Sequence, residues 1–159
     1  MKDLFLKDFS HEKTGVFHPN LVLSPDYSRE KMQMLIETAQ ESLDLYFAYI
    51  SDDVFEEKIF AAARRGVRIR FLTGEDFYEE HPEDIKKYRD LGIEIFPLEG
   101  PKLHTKSIFA DEVYLYIGSI NFSRHSFDEN REIGLIMTDQ QILSDFQRIF
   151  ESDFTRSEK

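Results

Sequence analysis

A histidine and a lysine stand two residues apart, His104 and Lys106, and Asp111, Gly118, Ser119 and Asn121 follow at short intervals. An imidazole can attack phosphorus or move a proton, and an ammonium offers a compact charge to a phosphoryl oxygen. A hydroxyl and a carboxamide, from Ser119 and Asn121, can donate to non-bridging oxygens, while Gly118 lets the backbone come close. Side chains alternate faces along a strand, so His104 and Lys106 share one face and Thr105 and Ser107 the other. If the stretch from Leu103 to Asn121 folds as a two-stranded hairpin turning at Asp111 and Glu112, the four groups converge on a patch suited to a phosphate diester. A lone histidine and lysine on an exposed polar hairpin would satisfy the same alternation. The complete spacing, six fixed identities, arises by chance in roughly one chain in a few hundred thousand.

HTKSIFADEVYLYIGSIN resembles the HxKx4Dx6GSxN signature of the phospholipase D superfamily at every defining position. The likeness extends upstream, where AQESLDLYFAYISDDVFEEKIFAAARRGVRIRFLTG is similar to the family's strand and helix before the motif. It extends downstream through NFSRHSFDENREIGLI, which carries a glutamate eleven residues past the asparagine. The resemblance implies that His104 is a nucleophile forming a phosphohistidine and that Lys106 and Asn121 hold the phosphoryl oxygens with Ser119 in support. Glu132 would accept a hydrogen bond from the other ring nitrogen of the histidine, fixing its tautomer. Asp111, the acid of the motif, reads as structural because it sits at the hairpin turn. Arg124 and His125 follow closely enough to touch substrate.

The family's site needs two histidines, one attacking and one protonating the leaving oxygen, and this chain has one motif. The resemblance therefore implies a homodimer sharing one site across its two-fold axis, or a tandem partner carrying a second motif. A weak echo between Phe5-Leu6-Lys7-Asp8-Phe9-Ser10 and Phe150-Glu151-Ser152-Asp153-Phe154-Thr155 keeps the tandem arrangement open. The scheme implies no cofactor and no metal, since Lys106 and paired histidines do the work of a Lewis acid. His11, His18 and His81 stand singly in polar segments and read as solvated residues.

The elements that must position these groups follow from periodicity. LVLSP reads as a strand, and the next helix puts Met32, Leu35, Ile36, Ala39 and Leu43 on one stripe. LDLYFAYI is a strand; Asp53 and Glu56 form a capping box for a helix that ends at Arg64, Arg65 and Gly66. VRIRFLTG is a strand, EDFYEEHPED a polar connection with a solvated acid run, and Pro82 a helix start. A helix stopping at Gly92, the strand IEIFPL, the hairpin and the strand GLIM follow. A closing helix carries Ile142, Leu143, Phe146, Ile149 and Phe150 on one side. This order predicts an α/β fold: one domain, a mixed sheet with helices on both faces, the αβα sandwich of phospholipase D-like proteins. The domain is expected over 17–156 with a lead segment at 1–16.

The 159 residues suffice for one core, and 41% apolar content suits a folded chain. No cysteine is present, which excludes disulfides and thiolate sites and fits a reducing compartment. The N-terminus shows no signal peptide or membrane span, so the expectation is a cytoplasmic protein, membrane-peripheral if its substrate is a lipid. A net charge of −11 argues against a broadly basic nucleic-acid surface, although Lys102, Lys106 and Arg124 could form a local positive funnel. Phospholipid hydrolysis or phosphatidyl transfer therefore ranks first and DNA or RNA cleavage second. A non-catalytic half for dimerisation or regulation is the third reading, and the intact motif speaks against it.

Overall fold

The computed structural model describes residues 18–159. The lead segment 1–16, His11 and the first half of the terminal echo lie outside the described residues. Seven strands form one sheet: β1 (Leu21–Leu23), β2 (Ser42–Tyr46), β3 (Arg68–Thr73), β4 (Glu94–Pro97), β5 (Ser107–Ala110), β6 (Tyr114–Gly118) and β7 (Ile133–Met137). Their spatial order is β1-β7-β6-β5-β2-β3-β4, with β2, β3 and β4 parallel and every other pair antiparallel. Six helices complete the described residues: α1 (Ser28–Thr38), α2 (Asp53–Arg64), α3 (Glu75–Glu80), α4 (Pro82–Asp90), α5 (Arg124–Asp128) and α6 (Gln140–Ser157). The expected single α/β domain is thus found, its sheet covered on both faces.

The local signals act where expected, with some shifts. Asp52 rather than Asp53 caps α2, its carboxylate accepting from the Phe55 amide at 3.1 Å. Gly66 and Gly92 end α2 and α4 at φ of 91° and 78°, a left-handed backbone that glycine adopts cheaply. The polar connection after β3 is instead helix α3, since Phe77 is buried and gives Glu75–Glu80 an apolar anchor. β2 stops at Tyr46, four residues short of the expected end, because the chain leaves the sheet to line the site described below.

Alternation along β2 and β3 sorts side chains between two layers. Leu43, Leu45, Ile69 and Phe71 meet Met32 and Ile36 of α1, Phe55 and Ile59 of α2 and Tyr88 of α4 in the larger core. Tyr46 and Leu72 face α6, where they pack against Phe150 and Phe154. The inward stripe of α6 is Leu143, Phe150 and Phe154 with Phe146 half-buried, whereas Ile142 and Ile149 face solvent. The aromatic residues set this rotation: Phe146, Phe150 and Phe154 pack one after another at centroid spacings of 6.3 and 5.8 Å. Below them Arg70 is bidentate to Asp44 at 2.7 and 2.6 Å and bonds Glu151 of α6 at 2.9 Å. Burial opposes the Arg70 charge, but the bonds to Asp44 and Glu151 outweigh it and raise its pKa. Among the described residues no helix is long and apolar enough to cross a membrane.

Candidate active site

The parallel strands end at Tyr46, Thr73 and Pro97, and Ser107 pairs with both Tyr46 and Ile117. The start of β5, the end of β6 and the start of β7 therefore share the edge where β2, β3 and β4 finish. Open α/β sheets bind ligands beyond the carboxyl ends of their parallel strands. Here that edge carries His104, Lys106, Gly118, Ser119 and Glu132.

His104 and Lys106 lie on the extended segment entering β5, not within the strand. The Gly118 amide donates to the Lys106 carbonyl at 3.1 Å, so the hairpin pairing continues past the strand and aligns the two halves of the motif. Lys106 Nζ donates to the His104 carbonyl at 2.7 Å. Its side chain is buried; desolvation lowers the ammonium pKa and the Glu132 carboxylate raises it. Glu132 accepts from Asn130 Nδ2 at 3.2 Å. The exposed His104 ring makes no hydrogen bond among the described residues, so the expected contact with Glu132 is not formed within one chain, and Glu132 acts electrostatically on Lys106 instead. Ser119 locks to β7, its hydroxyl accepting from the Ile133 amide at 3.2 Å and its amide donating to the Ile133 carbonyl at 3.0 Å.

Asn121 is half-buried and is placed by its neighbour Phe122. That ring stacks on Phe47 at 3.7 Å and Phe55 at 4.7 Å, and its carbonyl accepts from the Ser51 amide at 2.9 Å. Under the motif lies Tyr116, fully buried, its hydroxyl without a well-formed hydrogen bond. Gly118 and Gly134 flank it, and a Cβ on either would collide with the tyrosine. Gly134, Tyr116 and Phe122 are site-building residues that sequence reading missed. The glycine following Glu132-Ile133 on a strand was their one available signal, since glycine in a strand marks close approach of another group.

Asp111 sits far from this edge, at the other end of the hairpin, with φ of 52°. Its carboxylate accepts from the amides of Gln40, Glu41 and Ser42 at 2.8 to 3.1 Å. Burial would raise its pKa, but the three amides prevail and hold it below the usual carboxylate range. The motif acid is a clasp at the entrance of β2.

Arg124 and His125 lie on α5 and are exposed. The guanidinium is 4.0 Å from Asp128, in a shallow recess shared with Arg29 and Asp52, and His125 Nδ1 is 2.7 Å from Glu129. Lys102 lies 3.5 Å from Asp76. The expected positive funnel is thus offset by acids, and Lys106 alone of its three cations is buried at the site edge. His104 lines a cleft of about 730 Å³ walled by the segments after β2, β3 and β4. Glu75, Asp76, Glu80 and Asp84, expected in a solvated run, line this cleft. His81 lines it as well, stacked on Phe77 at 5.0 Å rather than isolated. His18 is exposed, accepting from the Asn20 amide at 3.2 Å.

An envelope phospholipase of Variola virus is 29% identical over 118 residues, 69% of this chain and 31% of its own length. A mitochondrial cardiolipin hydrolase of Homo sapiens is 30% identical over 118 residues, 71% of this chain and 47% of its own. The chain thus spans about a third to a half of these relatives. Nuc of Salmonella typhimurium, a phospholipase D family member, superposes with a TM-score of 0.77 at 20% identity, over 86% of this chain and 93% of its own. The family model for "Cardiolipin synthase, PLD-like domain" matches residues 32–154, which is most of the sequence and includes the whole His104 to Asn121 motif. With that match and this edge of the sheet, the chain belongs to the phospholipase D-like family.

Proposed function

We propose that this protein is a metal-independent phosphodiesterase acting on phospholipids through a phosphohistidine at His104. The observation that carries the reading is the gathering of His104, Lys106, Gly118, Ser119 and Glu132 at one sheet edge, with His104 also lining a cleft. His104 forms a bond to phosphorus as the bond to the leaving alcohol breaks, and the alcohol takes a proton from a second histidine. Water then attacks phosphorus and breaks the P–N bond, leaving a phosphate monoester and free His104; an alcohol in place of water gives phosphatidyl transfer. Lys106 neutralises the phosphoryl oxygens, helped by Ser119 and Asn121, and Glu132 keeps Lys106 charged.

The second histidine is His104 of another copy, in a homodimer whose axis passes through the site. An exposed His104 ring with its face free is consistent with that arrangement. The names of the relatives, phospholipase and cardiolipin hydrolase, favour a lipid substrate, and the charge of −11 opposes a nucleic-acid strand. A cysteine-free chain suits the cytoplasm, where the protein would meet its substrate at a membrane surface.

Purified protein should hydrolyse bis(p-nitrophenyl) phosphate in excess EDTA, and His104→Ala should lower the rate by at least about a thousandfold while the far-UV spectrum is retained. Loss of activity in EDTA, or unchanged activity in the variant, would sink the mechanism. Side-by-side assays on phospholipid vesicles, plasmid DNA and single-stranded RNA decide between lipid and nuclease action.

A further inference from the structure

Asn121 rides on a turn that is pinned on both sides. Before it, the Ser119 amide donates to the Ile133 carbonyl at 3.0 Å and the Ile133 amide donates to the Ser119 hydroxyl at 3.2 Å. After it, the Ser123 amide donates to the Asn121 carbonyl at 2.8 Å, and the Ser51 amide donates to the Phe122 carbonyl at 2.9 Å. Between these fixed points stands Ile120, fully buried, whose amide donates to no backbone carbonyl among the described residues. A buried amide left without an acceptor is rare, because nothing offsets its desolvation.

The acceptor within reach of that amide is the Tyr116 hydroxyl. Tyr116 is fully buried, and its oxygen makes no well-formed hydrogen bond. Its ring lies against Gly118 and Gly134, which brings the hydroxyl to the backbone of the motif: a Cβ on Gly118 would meet that oxygen before any other atom. Burial raises the phenol pKa, the Ile120 amide lowers it, and Glu132 raises it again. The net direction is upward, so the hydroxyl stays neutral and brings no negative charge to a phosphate site. Donor and acceptor are thus neighbours, both in buried residues and neither satisfied, beside the groups that would hold phosphoryl oxygens. Catalytic hydrogen bonds are often loose without substrate and tighten once it is bound.

Resting on the phosphodiesterase reading above, we infer that Tyr116 is a positioning residue: its hydroxyl accepts from the Ile120 amide when a phosphate occupies the site, which fixes Asn121 against the phosphoryl oxygens. The tyrosine touches no substrate atom and acts through Asn121.

The test compares the full chain with Tyr116→Phe, which keeps the ring between the glycines and removes only the hydroxyl, on bis(p-nitrophenyl) phosphate. The expected result is a kcat lower by about tenfold with KM within about twofold. The residual rate of Asn121→Ala should change by less than about twofold when Tyr116→Phe is added, since the residue being positioned is gone. A kcat unchanged in Tyr116→Phe, or lowered equally with and without Asn121, overturns the proposal; a purely structural role would give the second result. A measurement on the wild-type protein covers the case in which Tyr116→Phe does not fold. In isotope-labelled chain, saturating inorganic phosphate should move the Ile120 amide proton downfield and slow its exchange by about tenfold. An Ile120 amide indifferent to phosphate overturns the proposal. Cleavage that depends on His104 leaves the phosphodiesterase reading standing in either event, and a chain that cleaves no diester removes both.

Discussion

Lys106 carries its charge in surroundings that oppose it. The side chain is 3% exposed, burial lowers its pKa, and Glu132 works in the other direction. Replacing Glu132 by Gln removes the partner that favours the ammonium, so Lys106 should lose its proton at lower pH than in the wild type. The alkaline limb of the kcat/KM profile should shift toward neutrality in Glu132→Gln; a limb that stays in place would separate Glu132 from Lys106. Asp111 shows the opposite kind of motif residue. Its place at the hairpin turn marked it as structural, and its carboxylate spends its lone pairs on the amides of Gln40, Glu41 and Ser42. Its depressed pKa means that it stabilises the fold above the unfolded carboxylate pKa and ceases to do so as pH falls through the folded value.

At the scale of elements, the β5–β6 hairpin and the start of β7 act as one block built around Tyr116. Strand register puts Gly118 opposite Gly134, and the tyrosine ring occupies the volume both glycines leave. A methyl on Gly134 meets the ring itself, which is fully buried and has no room to yield. Gly134→Ala should therefore destabilise the protein by roughly 2 kcal/mol, a fall in Tm of about 6 °C by calorimetry. A double-mutant cycle with Tyr116→Ala should show strong non-additivity, because the small residue removes the collision; additive effects would place the cost elsewhere. The same block explains why Lys106 stands opposite Gly118 although the two are twelve positions apart in sequence.

For the whole molecule, one copy of the motif gives one histidine per site. If two His104 residues serve one phosphate, a dimer with one altered subunit is inactive. After subunit exchange, an equal mixture of wild type and His104→Ala should keep about a quarter of the wild-type activity, against about half if each chain works alone. Native mass measurement should give twice 18.8 kDa. A strictly monomeric, fully active protein would contradict the shared site. A monomer inactive by itself would point instead to a tandem partner, in keeping with relatives that this chain matches over only 31% and 47% of their own length.

Short-range pattern determined a great deal here. Two-residue alternation predicted one face for His104 and Lys106, the spacing to Gly118 and Asn121 marked a candidate phosphate site, and helix stops at Gly66 and Gly92 set the α/β order. These signals are legible because they depend on the period of a strand or the geometry of a turn, which neighbouring residues dictate. Tertiary structure alone decided that Asp111 reaches back some seventy residues to clasp β2, and that Gly134 must be glycine because of Tyr116. It also set the acid run, solvated as expected, along the cleft that His104 lines. Such contacts depend on how distant strands and helices pack, and strand order and register are not written in the periodicity of any single segment.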